Sequence, residues 1–112
     1  MRTLVLVAAA AVLAGCGGGR SVADPVCRQK ALQAAEHAES MLAHYRGTTV
    51  YPADVAYLLL RGSIRQFHER ECPEPVLGRA LERRLSAPDR KALLALLPRT
   101  TGGEIRKALS AA

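Results

Sequence analysis

Apolar and small residues recur along residues 25–45 in steps of four and three, which is the spacing of one face of an α-helix. The residues on this face are Cys27, Ala31, Ala34, Ala38, Met41 and Tyr45. Asp24 followed by Pro25 is typical of a helix N-cap and its first helical position. The pattern breaks at residues 46–50, so the sequence predicts a first helix from Pro25 to about residue 45.

A second helical segment follows and is apolar on two sides. Its main stripe, again in steps of four and three, consists of Ala53, Tyr57, Leu60, Ile64 and Phe67. On the opposite side lies a set of four residues, called here the second apolar face: Val55, Leu58, Leu59 and Gly62. Two interpretations follow. Either the C-terminal helices cover this face, with Gly62 allowing close approach, or the face is a groove or patch for a partner helix.

Prolines divide the C-terminal part into short helices. After the rigid corner at residues 72–75, one helix is predicted by Val76, Leu77, Ala80, Leu81 and Leu85. Ser86 and Asp89 then form an N-terminal capping pattern. They predict a helix that begins at Arg90, carries a cluster of leucines and ends before Pro98.

A last helix completes the predicted fold. Thr101 and Glu104 have the spacing of a capping box, and Ile105, Ala108 and Leu109 follow on one helical face. No segment alternates with period two over a useful length. The chain has 112 residues and 12.0 kDa, with 49% apolar but only 4% aromatic residues, which favours helices. The predicted fold class is therefore all-α, a single small domain of four to five helices.

The N-terminal end of the chain has the pattern of an export signal. The first two residues, Met1-Arg2, form a short basic start, and an apolar run covers residues 3–12. That run is too short to cross a membrane as a helix. The segment Leu13-Ala14-Gly15-Cys16 follows directly, and all four of its positions fit a lipobox. The chain therefore resembles the bacterial lipoproteins at its N-terminus.

This resemblance implies lipid anchoring at Cys16. In that family the cysteine sulfur receives a diacylglycerol, the chain is cut before the cysteine, and the new amino group is acylated. Residues 1–15 would then be a cleaved signal peptide, residues 16–23 a flexible acylated tether, and residues 24–112 a helical periplasmic domain. Gly17 stands where the family's inner-membrane proteins have Asp, so the outer membrane is favoured. The alternative is an ordinary secretory signal with an incidental cysteine.

With Cys16 assigned to the lipid, Cys27 and Cys72 remain as an even pair in an oxidising compartment. An antiparallel hairpin of the first two helices places them within about two residues of facing each other, or roughly 3 Å. Cys72 lies somewhat off the main stripe, so we expect the last turn of the second helix to unwind toward Pro73. The sequence thus predicts a disulfide-stapled helical hairpin, with two free thiols as the alternative.

No pattern in the chain points to an enzyme, a cofactor or a metal. His37, His44 and His68 lack the spacing of shared metal ligands, and no nucleophile elbow or phosphate-binding loop occurs. The formal net charge of +6 would ordinarily suggest nucleic acid. We do not expect that partner, because an exported protein rarely meets it and no nucleic-acid-binding signature occurs.

The expected function is protein binding in the bacterial envelope, on the periplasmic side. A small helical lipoprotein with one disulfide resembles the pilotins, which chaperone secretin subunits to the outer membrane. This resemblance implies a secretin C-terminal segment docking as a helix near Leu58, Leu59 and Gly62. Two alternatives belong to other classes: an immunity or exclusion lipoprotein, which neutralises a toxin or blocks a conjugation channel, and a structural envelope lipoprotein.

Overall fold

The computed structural model describes residues 20–47 and 53–112, which form five α-helices and contain no β-strand. This confirms the predicted all-α class. The helices are α1 (Pro25–Tyr45), α2 (Ala53–Glu69), α3 (Glu74–Arg84), α4 (Ala87–Leu96) and α5 (Arg99–Ala111). The predicted cleavage before Cys16 and the predicted lipidation of Cys16 fall outside the described residues.

Local capping explains where α1 and α4 begin. The carboxylate of Asp24 accepts a hydrogen bond of 2.8 Å from the backbone N–H of Val26, as an N-cap should. The hydroxyl of Ser86 accepts one of 3.3 Å from the N–H of Asp89. The expected start of α4 at Arg90 is therefore wrong by three residues, because the helix begins immediately after its cap.

The predicted capping box of the last helix is wrong. α5 begins at Arg99, directly after Pro98, and no side chain caps its N-terminus. Thr101 lies inside the helix and is buried, and its hydroxyl is 2.9 Å from the hydroxyl of Tyr57. The Thr101 side chain is thus used for a contact between α2 and α5, because the fold brings a phenol within its reach.

Helices α1 and α2 form an antiparallel hairpin, α3 packs on the other side of α1, and α5 packs on α3. The hairpin register is visible in the hydrogen bond of 3.0 Å between Lys30 Nζ and Gln66 Oε1. Small side chains line the buried face of α1, which lets two helices approach it closely. The fully buried alanines of α1 are Ala31, Ala34, Ala35 and Ala38.

The core is filled mainly by larger side chains from the other helices, including Leu60, Ile64 and Phe67 from α2. Tyr57, on the same stripe, is partly buried. Tyr45 departs from the prediction: it continues the buried stripe of α1 in the sequence, yet it is half exposed. It is the last residue of α1, where the buried stripe of the helix ends.

The α2 helix ends in a Schellman turn that positions Cys72. The N–H of Cys72 donates to the carbonyl of Phe67 at 3.3 Å, and the N–H of Glu71 donates to the carbonyl of His68 at 2.9 Å. Glu71 adopts φ 55°, the left-handed conformation this turn requires. Unwinding of the last turn is thereby confirmed. Cys72 forms a disulfide with Cys27, with Cα atoms 5.5 Å apart.

Candidate functional site

The second apolar face of α2 is exposed to solvent. Val55 is 38% exposed, Leu58 57% and Leu59 40%, and they are three of the most exposed large apolar side chains among the described residues. The interpretation that the C-terminal helices cover this face is therefore wrong. All three of these helices lie within the described residues 53–112, and the face stays exposed. Those helices pack on α1 and on each other instead, and contact α2 on its other side, through Tyr57 and His68.

Gly62 leaves room for another chain at the C-terminal end of this face. A Cβ atom added there would meet no heavy atom within 4 Å. No described neighbour therefore requires a glycine at this position, although glycine weakens a helix interior. From Val55 to Gly62 the face covers two helical turns, about 10 Å along the helix axis.

Two arginines of α2 flank the second apolar face on the C-terminal side. Arg61 and Arg65 are exposed, and within residues 20–47 and 53–112 neither is joined to a carboxylate by an ion pair. Arg65 follows Leu58 by seven residues, so it extends the same side of the helix. The surface thus combines an apolar half with two arginines that have no carboxylate partner among the described side chains.

The two predicted cysteine sites differ in what the structure says of them. Cys27 and Cys72 are brought together at the end of the hairpin, and both are buried. Cys16 lies outside the described residues, so its lipidation stays a prediction. The described part of the predicted tether contacts the turn that follows α2: the backbone N–H of Arg20 donates to the carbonyl of Glu71 at 3.2 Å, and its Nε donates to that of Arg70 at 3.1 Å.

Several titratable side chains form structural pairs. His68 Nε2 is 2.7 Å from Glu74 Oε1, and its Nδ1 is 3.6 Å from Glu104 Oε2, so one imidazole joins α2, α3 and α5. Within the described residues no group of three metal-ligating side chains occurs. The same part of the chain contains no helix that is long and apolar enough to span a bilayer.

Two surface aspartates have perturbed acidity. A hydrogen bond from the Arg20 side chain, followed by one from the Val26 N–H, holds the pKa of Asp24 below its ordinary value of 3.8. A hydrogen bond from Arg46 does the same for the pKa of Asp89, whose Oδ1 lies 2.6 Å from Arg46 Nη2. Both carboxylates are partly exposed partners in surface ion pairs.

The sequence analysis missed a groove between α1 and α3. Its volume is about 640 Å³, and four of its lining residues are arginines: Arg28, Arg79, Arg83 and Arg84. A signal was available, since Val76, Arg79, Ala80 and Arg83 are spaced to lie on one side of a helix. Which helix faces that side could not be read from the spacing.

Comparisons with protein-family models, with curated proteins and with solved structures found no match to this chain.

Proposed function

We propose that this protein is a lipid-anchored lipoprotein of the bacterial envelope that captures an amphipathic helix of another envelope protein on the second apolar face. The observation that carries the proposal is the exposure of Leu58 and Leu59 on a helix whose other side buries Leu60, Ile64 and Phe67 in the core. The lipobox ending at Cys16 supports the location.

The chemistry of the surface defines the partner segment. Two turns of exposed apolar surface match a helix with apolar anchors at positions i, i+3 or i+4, and i+7. The exposed Arg61 and Arg65 favour acidic side chains in the partner, beyond its apolar anchors. Gly62 would let the two helix backbones approach closely. A secretin C-terminal helix is the first candidate, from the architectural resemblance to pilotins.

Site-specific photo-crosslinking tests the surface. A photoreactive amino acid at position 58 should crosslink in intact envelopes to one segment of one protein, and that segment should have the apolar spacing and acidic residues described above. The same probe at position 45 is the control, because Tyr45 is similarly exposed, at 51%, but lies at the end of α1. Equal crosslinking from both positions, or diffuse crosslinking from position 58, would contradict the proposal.

A synthetic peptide of the captured segment then allows the binding free energy to be measured. We expect Leu59→Glu to weaken its binding by about 2 kcal/mol, roughly 30-fold, because an apolar contact is lost and a charge is buried. Leu32→Glu should leave the affinity unchanged. Helical circular dichroism should be the same for both variants. Unfolding of the Leu59→Glu variant alone would show that this residue is part of the core.

Anchoring has its own test in the Cys16→Ala variant. We expect this precursor to stay uncleaved and to take up no label from radioactive palmitate, because the acylated sulfur is missing. Normal processing of the variant would refute the lipoprotein assignment and leave the secretory-signal alternative.

A further inference from the structure

The groove between α1 and α3 has the lining of a site for an anionic amphiphile. Its lining contains the four arginines named above and no carboxylate-bearing residue. Between the arginines lie apolar side chains from three segments. They are Val22 before α1, Leu32 of α1, and Val76 and Ala80 of α3. A volume of about 640 Å³ lies within the usual range for small-molecule sites.

The arginines of the groove are not equally engaged. Arg84 Nη2 is paired with Glu36 Oε1 at 2.9 Å, and Arg28 Nη2 donates to the carbonyl of Ala23 at 3.1 Å. Arg79 and Arg83 are exposed and have no carboxylate partner within the described residues. They lie four residues apart on α3, so both guanidinium groups can reach one anion. A phosphate, with its several acceptor oxygens, suits such a pair.

The apolar lining indicates that the anion carries a hydrocarbon part. Leu32 is 44% exposed and Val22 51%, although both line the groove beside arginines. A free phosphate would leave these side chains in water, whereas a lipid acyl segment would cover them.

The position of the groove agrees with a membrane ligand. Val22 is part of its lining and follows Cys16 by six residues, a distance of at most about 20 Å in an extended chain. An acyl chain on Cys16 would therefore hold the groove within reach of phospholipid headgroups.

We propose that the groove between α1 and α3 binds an anionic phospholipid, with its phosphate on Arg79 and Arg83 and the start of an acyl chain against Leu32 and Val76. Only the nearness of the groove to the membrane depends on the proposed lipid anchor. The binding chemistry is present in the helical domain itself.

Binding to vesicles tests the proposal without the anchor. The buried core of the described residues extends from Cys27 to Ala108 and includes the disulfide, so we expect a chain without residues 1–16 to keep this fold. A chain beginning at Gly17, with its helicity checked by circular dichroism, is sedimented with vesicles of phosphatidylcholine alone or mixed with phosphatidylglycerol. We expect binding to the mixed vesicles only.

Two charge-matched variants separate the groove from net charge. Arg79→Gln/Arg83→Gln removes the unpaired arginines of the groove, and Arg61→Gln/Arg65→Gln removes two exposed arginines of α2. We expect the groove variant to bind the mixed vesicles roughly 30-fold more weakly and the α2 variant to change by less than about threefold. Equal losses in both variants would overturn the proposal, since net charge alone would then explain the binding.

A second experiment distinguishes a lipid from a free anion. The same chain is titrated, with detection by methyl NMR, with a short-chain phosphatidylglycerol below its micelle concentration and with glycerol phosphate. We expect the lipid to shift the methyl signals of Leu32 and Val76, and to bind at least about tenfold more tightly than glycerol phosphate. Equal affinities, or no shift at these methyl groups, would refute lipid binding.

Failure here is distinguishable from failure of the proposed function. Crosslinking from position 58 to a helical segment tests the second apolar face and does not depend on Arg79 or Arg83. Conversely, Leu59→Glu should leave vesicle binding unchanged, because Leu59 does not line the groove.

Discussion

Two glycines within helices of this protein should respond in opposite ways to the same substitution. Gly62 lies in α2 and Gly78 in α3. Alanine in place of glycine in a helix interior stabilises a protein by roughly 0.5–1 kcal/mol, because the unfolded chain loses freedom and the helix gains a better helix former. Around Gly62 the added Cβ meets no heavy atom within 4 Å. We therefore expect Gly62→Ala to increase the free energy of unfolding by about this amount.

At Gly78 the same methyl group has no room. It would overlap the carbonyl oxygen of Ala108 and lie 2.8 Å from the carbonyl carbon and 2.9 Å from Ala112 Cβ. Carbon atoms in contact need about 3.5–4.0 Å, and the obstructing atoms belong largely to the backbone of α5. The two helices would have to separate, at a cost near the upper end of the roughly 1–3 kcal/mol typical of overpacking. Because the better helix propensity of alanine offsets part of this cost, we expect Gly78→Ala to lower the free energy of unfolding by about 2 kcal/mol.

Urea denaturation of the two single variants measures both effects, provided that their m-values match. Stabilisation by Gly78→Ala would show that α3 and α5 do not cross as closely as described. Destabilisation by Gly62→Ala would show that the second apolar face is packed within the protein. If the proposed function is correct, Gly62→Ala should also weaken binding of the partner helix despite stabilising the protein.

The remaining predictions concern the disulfide, the Schellman turn and the surface aspartates. Cys27→Ala/Cys72→Ala should lower the free energy of unfolding by about 4 kcal/mol, measured by urea denaturation, since the disulfide closes a long loop in the unfolded chain; an unchanged midpoint would contradict this. Glu71→Gly should raise the free energy of unfolding by about 1 kcal/mol, because glycine adopts the positive φ at this position without strain. The control Glu69→Gly, in the helix, should lower the free energy of unfolding. Asp24 and Asp89 have lowered pKa values in the folded state, so their stabilisation is present above pH 3.8 and is lost as the pH falls through those lowered values. Asp24→Asn/Asp89→Asn should therefore reduce the loss of thermal stability at acidic pH, measured by thermal denaturation at a series of pH values. An unchanged loss would refute the assignment.

Features with a local physical cause could be predicted from the sequence. Asp24 and Pro25 define the start of α1 because capping involves only neighbouring residues. The pairing of Cys27 with Cys72 followed from helix length and an antiparallel connection, both of which the apolar spacing indicates. Even the unwinding before Pro73 followed from the misfit of Cys72 with the stripe of α2.

Features that depend on the docking of distant helices could not be predicted. Thr101 has ideal spacing for a capping box, but Tyr57 offers a partly buried hydroxyl partner from another helix. The second apolar face has the pattern of a second core surface, and only the packing of α3 on α1 decides that it stays exposed. The basic groove exists only because Arg28 and Arg79 come from helices that a linear pattern does not pair.

The described end of the tether suggests how the two candidate surfaces would be arranged relative to a membrane. Arg20 is fixed by two hydrogen bonds to the turn that follows α2, at the disulfide end of the hairpin. An acylated Cys16 would be at most about 14 Å from that point, so this end of the bundle would face the lipid. The groove begins at the same end, with Val76 near the start of α3, and extends along α3 to Arg83, about 14 Å from the start of that helix. Leu58 is about 16 Å farther along α2 than Glu69, and α2 and α3 pack on different sides of α1, so the second apolar face would stay accessible to a partner while the groove holds a lipid.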